Sequence, residues 1–274
     1  MIFIQNAQLE RSFVIEESSS PHEWRLLSVS AADDKRMDTD ITIQGVLCAT
    51  DLPPFKKRVK ANQASYLRQS VSITGLGTNP FNNAMEAIAS VYATFIRQLG
   101  QDQLVPIQFM STYKEFPSID ISNRYFSRRD QTPSEAEIEF GEIVDPLDIL
   151  GKLHGQVYCH SVDNSVAYYE HRAATDGGFR YKEIRPEQLQ VGDIIEVTFE
   201  FIAVPVSKGK AKLIAVLKTI TLLDAQLTKD ALAKRAVERY LPGKETSLRR
   251  KNIHDDEVVS DASDKLNDMQ VGRV

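Results

Sequence analysis

Apolar and polar positions alternate most regularly in residues 191–224, VGDIIEVTFEFIAVPVSKGKAKLIAVLKTITLLD. Ile195, Val197, Phe199 and Phe201 share one parity, and Glu196, Thr198 and Glu200 the other, which is the period of a strand buried on one face. From Ile202 to Val206 the run turns apolar on both parities, and Pro205, unable to donate to a ladder, marks an edge, a bulge or the strand's end. Ser207-Lys208-Gly209-Lys210 supplies a reversal, with Gly209 free to take positive φ. The return strand is apolar on both parities (Leu213, Ala215 and Leu217 against Ile214, Val216 and Ile220), which places it inside a sheet under a second layer. A long hairpin is the prediction.

Upstream, residues 2–4, 13–15, 24–29, 41–49, 66–74, 104–110 and 118–122 read as strands, with Gly45 marking a bulge or bend. Residues 16–22 and 31–40 read as loops, and 51–63 as an exposed basic one. Residues 156–162 and 165–171 suggest a second hairpin, turned at Asp163-Asn164. The spacing predicts one long helix over 80–99: Asn79 suits an N-cap, Pro80 the first turn, and Phe81, Ala84, Met85, Ile88, Val91, Tyr92, Phe95 and Leu99 form an apolar stripe that Gly100 ends. Thr228 reads as the cap of a short helix with Leu232, Ala236, Val237 and Tyr240 as its contact face. The fold expected is α+β, mainly antiparallel β-sheet with OB-like barrel character, one long amphipathic helix packing on it. Residues 1–150 form an N-terminal β-rich part and 151–242 a C-terminal hairpin part of the same globular unit, with 243–274 a polar, disordered tail.

The 274 residues are ample for a packed core, and a charged fraction of 26% is ordinary for a soluble chain. No run of about 18 apolar residues occurs, so no membrane-spanning helix is expected. Met1–Arg11 lacks the basic start and long apolar core of a secretory signal. Cys48 and Cys159, isolated from any motif, read as reduced thiols of an intracellular protein. A net charge of −5 weighs against a surface that grips nucleic acid everywhere, while leaving room for a local basic groove.

Several chemistries lose to plainer readings. Gly75-Leu76-Gly77 between strand and helix lacks the third glycine of a dinucleotide loop, because Pro80 takes its slot. His154, Cys159, His160, Asp163 and His171 match no zinc spacing, so neither metal nor cofactor is expected. No serine sits in a nucleophile elbow, and the acidic residues between Glu135 and Asp148 read as a solvated face. Enzymatic activity is therefore the third reading.

The remaining pattern is basic and aromatic. Lys56, Lys57, Arg58 and Lys60 occupy a loop between two strands, flanked by Phe55 and Tyr66. Arg124, Tyr125, Phe126, Arg128 and Arg129 form a second cluster, and Lys208, Lys210, Lys212 and Lys218 a third. OB barrels hold single strands in this way, with cations on the backbone and rings on the bases. Single-stranded DNA or RNA is thus the ligand expected, with Lys56, Lys57, Arg58, Lys60, Arg128 and Arg129 on phosphates and Phe55, Tyr125 and Phe126 stacking. The alternative is a protein–protein module in which the long hairpin offers an edge strand to a partner.

Val144-Asp145-Pro146, the run Tyr158 to Asn164, Gly192 to Glu196, Val204-Pro205, the Lys208–Lys212 turn and Val216 to Asp224 together resemble a group of uncharacterised proteins from mushroom-forming (basidiomycete) fungi. The resemblance covers roughly the C-terminal third. It implies a fungal, intracellular origin and lends no activity.

Overall fold

A computed structural model describes residues 13–19, 21–29, 36–55, 60–130, 136–153, 155, 157–173 and 178–240. In chain order the elements are β1 (Phe13–Ser19), β2 (His22–Val29), β3 (Arg36–Asp38), β4 (Ile41–Asp51), β5 (Arg68–Thr74) and α1 (Asn79–Leu99). There follow β6 (Met110–Tyr113), β7 (Phe116–Arg124), β8 (Ser127–Arg128), β9 (Tyr158–Cys159), β10 (Ala167–Ala173) and β11 (Phe179–Glu183). β12 (Ile194–Pro205), β13 (Ala211–Asp224) and α2 (Gln226–Tyr240) complete them.

β4, β5, β7, β13 and β12 pair in that order, and β12 returns to β4, closing a five-stranded barrel. Its third and fifth strands in the chain, β7 and β13, run parallel at Ser122 and Val216, while its first and fourth, β4 and β12, run antiparallel from Ile41/Phe199 to Val46/Ile194. This strand order, with one parallel closure in an otherwise antiparallel Greek-key barrel, is the OB topology. The parities explain it. Ile43, Leu47, Val71, Ile73, Ile119, Ile121, Ile195, Val197, Phe199, Phe201, Leu213 and Leu217 point inward and are all buried. Serines and threonines such as Ser70, Ser72 and Thr198 take the alternate positions. The fully buried side chains of Phe199 and Phe201 each contribute on the order of 1.5–3 kcal/mol by leaving water.

The hairpin tip uses two left-handed residues, Lys208 (φ 66°) and Gly209 (φ 69°), rather than Gly209 alone. β12 has β13 along one edge and β4, then β2, along the other; β13 has β12 on one side and β7, then β10, on the other. The long hairpin is the middle of the sheet. It therefore has no long free edge to lend a partner, contrary to the edge-strand expectation; the outer strand on that side is β11.

α1 carries Phe81, Met85, Ile88, Val91 and Phe95 into the same core. Its cap is Thr78, one residue earlier than the sequence suggests, and the turn before it is tight because any Cβ on Gly75 would collide with Phe81. Gly45 has a similar reason: a Cβ there would crowd Thr74 O and Phe81. Residues 16–19 extend β1 rather than looping, and 104–109 form no strand beyond a bridge from Leu104 to Ala211. The second predicted hairpin is absent. Tyr158–Cys159 pairs with Ser127–Arg128 instead, and Asp163-Asn164 lies in a 3₁₀ turn because buried Asn164 bonds Ser127 and Ser161 through its amide oxygen. β10 turns back on β11, so the reversal falls one hairpin later.

The chain divides into two units, Met1–Lys229 and Asp230–Val274, so the junction at 150/151 falls inside the first. α2 begins at Gln226. Thr228 is not its cap; the Thr228 hydroxyl donates to the Asp193 carboxylate, and the predicted contact residues Leu232, Ala236, Val237 and Tyr240 belong to the second unit. Residues 2–4 and the predicted tail lie outside the described residues. Among the described residues no helix is long and apolar enough to cross a membrane.

Candidate nucleic-acid interface

Outward-facing positions of the barrel wall frame a groove of about 490 Å³. Arg68 on β5 and Ser122 and Arg124 on β7 form one side; Ile202 and Val204 on β12 with Ile214 and Val216 on β13 form an apolar strip. The strand register places Arg68 directly opposite Arg124 and Ser70 opposite Ser122. Residues so opposed hold their Cβ atoms about 4.5–5.5 Å apart, and like charges there destabilise the pair. Burial, with the charge of Arg124 added, lowers the proton affinity of the Arg68 guanidinium. Neither arginine side chain has a hydrogen-bond or carboxylate partner among the described residues. Two adjacent cations left uncompensated at a groove are suited to an anion with more than one charged group.

The opposite wall is acidic, with one guanidinium facing three carboxylates. Arg25 Nε donates to Glu23 at 2.5 Å, and its terminal nitrogens lie 3.3 Å from Asp163 and 3.9 Å from Glu200. Burial acts to lower the Arg25 proton affinity, but the charge and hydrogen bond of Glu23, with Glu200 and Asp163, raise it overall. Burial raises the pKa of Glu200 although Arg25 and Lys218 oppose it. The groove thus has a cationic side, Arg68 and Arg124, and an acidic one.

The connection from β4 to β5 runs directly into Arg68, and Val204 and Pro205, which line the groove, lead into the turn bearing exposed Lys208 and Lys210. In OB barrels these two loops and the face of the second and third strands hold oligonucleotides. Lys218, in contrast, bonds Asp40 at 2.7 Å.

The predicted residues separate sharply. Lys56, Lys57 and Arg58 lie outside the described residues; Lys60 is exposed at the start of the 3₁₀ turn Ala61–Tyr66. Phe55 is half-buried with its ring 5.4 Å from that of Tyr125. Tyr125 and Phe126 are only 1% and 2% exposed, in a small core with Ala64 and Leu150. Neither ring can meet a base, which corrects their stacking role: the chain leaving β7 folds under the 140–153 segment, where Phe140 packs against both. Arg128 is exposed and pairs with Asp130, its guanidinium donating to both carboxylate oxygens at 3.0 and 2.8 Å. Arg129 is held by Glu137 at 2.7 Å and the Gly155 carbonyl at 3.0 Å. The exposed ring of that region is Tyr66, 79% accessible and two residues before Arg68.

Among the described residues no three His, Cys, Asp or Glu side chains could hold a metal. His160 instead stacks on Phe140 at 3.9 Å and donates from Nδ1 to the Tyr125 carbonyl at 2.8 Å. The Asp145 carboxylate, within the acidic stretch, accepts from the amides of Ile149 and Gly151 at 2.8 Å.

No family model and no curated protein matches the sequence. Solved structures do. The chain is similar to the single-stranded DNA-binding protein from bacteriophage Enc34 at 7% identity, covering 77% of this chain and 89% of that one, with a TM-score of 0.34. The same phage protein in complex with single-stranded DNA matches at 8% identity over 77% and 94%, TM-score 0.35. The gp2.5 single-stranded DNA-binding protein of bacteriophage T7 matches at 7% identity over 68% and 87%, TM-score 0.36. Likenesses this distant add nothing to the strand order, which defines the barrel by itself.

Proposed function

We propose that this protein binds single-stranded nucleic acid in the groove between Arg68/Arg124 and the Ile202–Val204–Ile214–Val216 strip. The observation that carries the reading is the opposed arginine pair, which costs stability in the free protein and is relieved by a polyanion. Phosphates lie along the cationic side, while unstacked bases cover the aliphatic strip, and Tyr66 supplies a ring at the loop end. A single strand fits better than a duplex because an apolar strip has no use for a helix whose bases are already stacked. Fluorescence anisotropy of a labelled oligothymidylate, titrated at graded salt, tests the reading. Binding whose logarithm falls linearly with log salt is the expected outcome. No binding at low salt, or affinity indifferent to salt, rejects it.

A further inference from the structure

Outside the barrel, β10 and β11 form a hairpin attached through β13, with β11 as the outermost strand of the sheet and all five of its residues exposed. The register Ala173/Phe179, His171/Tyr181 and Tyr169/Glu183 puts four rings on one face of this ribbon. His171 stacks on Phe179 with centroids 4.5 Å apart and planes at 22°, lies 5.4 Å from Tyr181, and Tyr181 meets Tyr169 edge-on at 6.4 Å. Phe179 and Tyr181 nevertheless remain 67% and 63% exposed. Mutual contact explains why the ribbon coheres; it does not explain large rings kept in water.

The face they occupy is the outer surface of the sheet. Tyr168, next to Tyr169, points into the core with Ile220, as Leu217 does, so Tyr169 and Val216 share the opposite side. Along β13 the Val216 level of the groove and the level of Tyr181, two residues beyond Thr221, are separated by on the order of 23 Å. Arg180 and Lys182 alternate with the rings along the same edge strand and take its other face, where Arg172 bonds Glu170, while Glu183 shares the ring face. A second copy of the chain is a poor occupant for this edge, since two-fold antiparallel pairing about Tyr181 would set Arg180 against Lys182.

We infer that Phe179 and Tyr181 form a second contact for the same single strand, stacking bases beyond the stretch held in the groove. The inference rests on the proposed groove and is tested so that the two can fail separately. Full-length wild type and the F179A/Y181A variant are titrated with oligothymidylates of roughly 6 and roughly 16 nucleotides, the span of lengths one OB barrel accommodates. The variant is expected to match wild type on the short oligomer and to lose at least about fivefold per ring on the long one, the lower end of base–aromatic stacking. Y181W is expected to retain long-oligomer affinity, and an iodouracil-substituted long oligomer to photo-crosslink within residues 178–185.

Equal affinity of variant and wild type for the long oligomer, with no crosslink there, overturns the second contact and leaves the groove standing. Equal loss on both lengths at unchanged melting temperature also overturns it, by placing the rings in the groove's own footprint. A change of sedimentation from dimer to monomer in the variant assigns the face to self-association instead. Wild type that binds neither oligomer removes the groove and the second contact together.

Discussion

Gln69 of β5 and Tyr168 of β10 meet inside the fold, where the Tyr168 hydroxyl donates to Gln69 Oε1 at 2.6 Å. The Gln69 amide in turn donates to the Asn164 carbonyl at 3.0 Å. Both side chains are buried, and burial, with Tyr125 nearby, holds the Tyr168 phenol well above its ordinary pKa. The contact ties the barrel wall to the strand from which the outer hairpin departs. Tyr168→Phe strands the Gln69 oxygen without a donor and is expected to cost about 1–3 kcal/mol. A lower urea midpoint at unchanged slope is the measurement, with short-oligomer affinity unaltered.

Arg68→Ala and Arg124→Ala are each expected to weaken oligonucleotide binding and to flatten its dependence on log salt by about 0.7, the value of one phosphate contact on a single strand. Removing either also relieves a like-charge pair, so neither is expected to lower the melting temperature. Arg128→Ala serves as the contrast. Its charge is already matched by Asp130, and its effect on the salt slope is expected to be small. Equal slopes for all three variants and wild type would place the ligand elsewhere.

Phe126→Ala and Tyr125→Ala separate a core role from a stacking one. Both rings are sealed in the smaller core, so each truncation is expected to cost about 3–5 kcal/mol of stability. Affinity per folded molecule, from active-site titration below the melting point, is expected to stay at the wild-type value.

Glu200 gives a pH signature. Its pKa is raised by burial in the folded state, so between the ordinary carboxylate value and the raised one the native protein holds more protons than the unfolded chain. Stability from this group is therefore greatest in acid and falls as pH rises through that window. Glu200→Gln is expected to remove this downward slope, read as melting temperature against pH from 4 upward. An unchanged profile would show that Arg25 fully compensates the carboxylate.

Most of the architecture is legible in the chain, and the reason is local. The parity that sends Phe199 inward and Thr198 outward is written in consecutive residues, as is the stripe of α1 from Phe81 to Phe95. Pairing is less legible. Nothing near Tyr158 announces Ser127 as its neighbour, and Asp163-Asn164 carries turn chemistry whether or not a hairpin follows. The site suffers most, because it depends on register. Arg68 and Arg124 are 56 positions apart in the chain and become neighbours only through β5–β7 pairing, whereas the conspicuous Arg128-Arg129 pair bonds Asp130 and Glu137. Tyr125 and Phe126 look like stacking rings beside arginines; the burial that claims them comes from the distant Phe140 and Leu150. Arg124 stands in a cluster the sequence displays, whereas Arg68 shows only as a lone arginine on the hydroxyl-lined parity of β5.

Gln44 and Glu196, bonded at 2.8 Å across the seam of the barrel, are separated by 152 residues. During synthesis, then, the first three barrel strands emerge long before the two that complete the cylinder. Until Asp224 has left the ribosome, β4 and β7 each present an unmated margin, and so much non-local pairing makes for slow closure. For that interval the nascent chain depends on whatever shields bare strands from one another, and a product arrested short of the last strand has no barrel to fall back on.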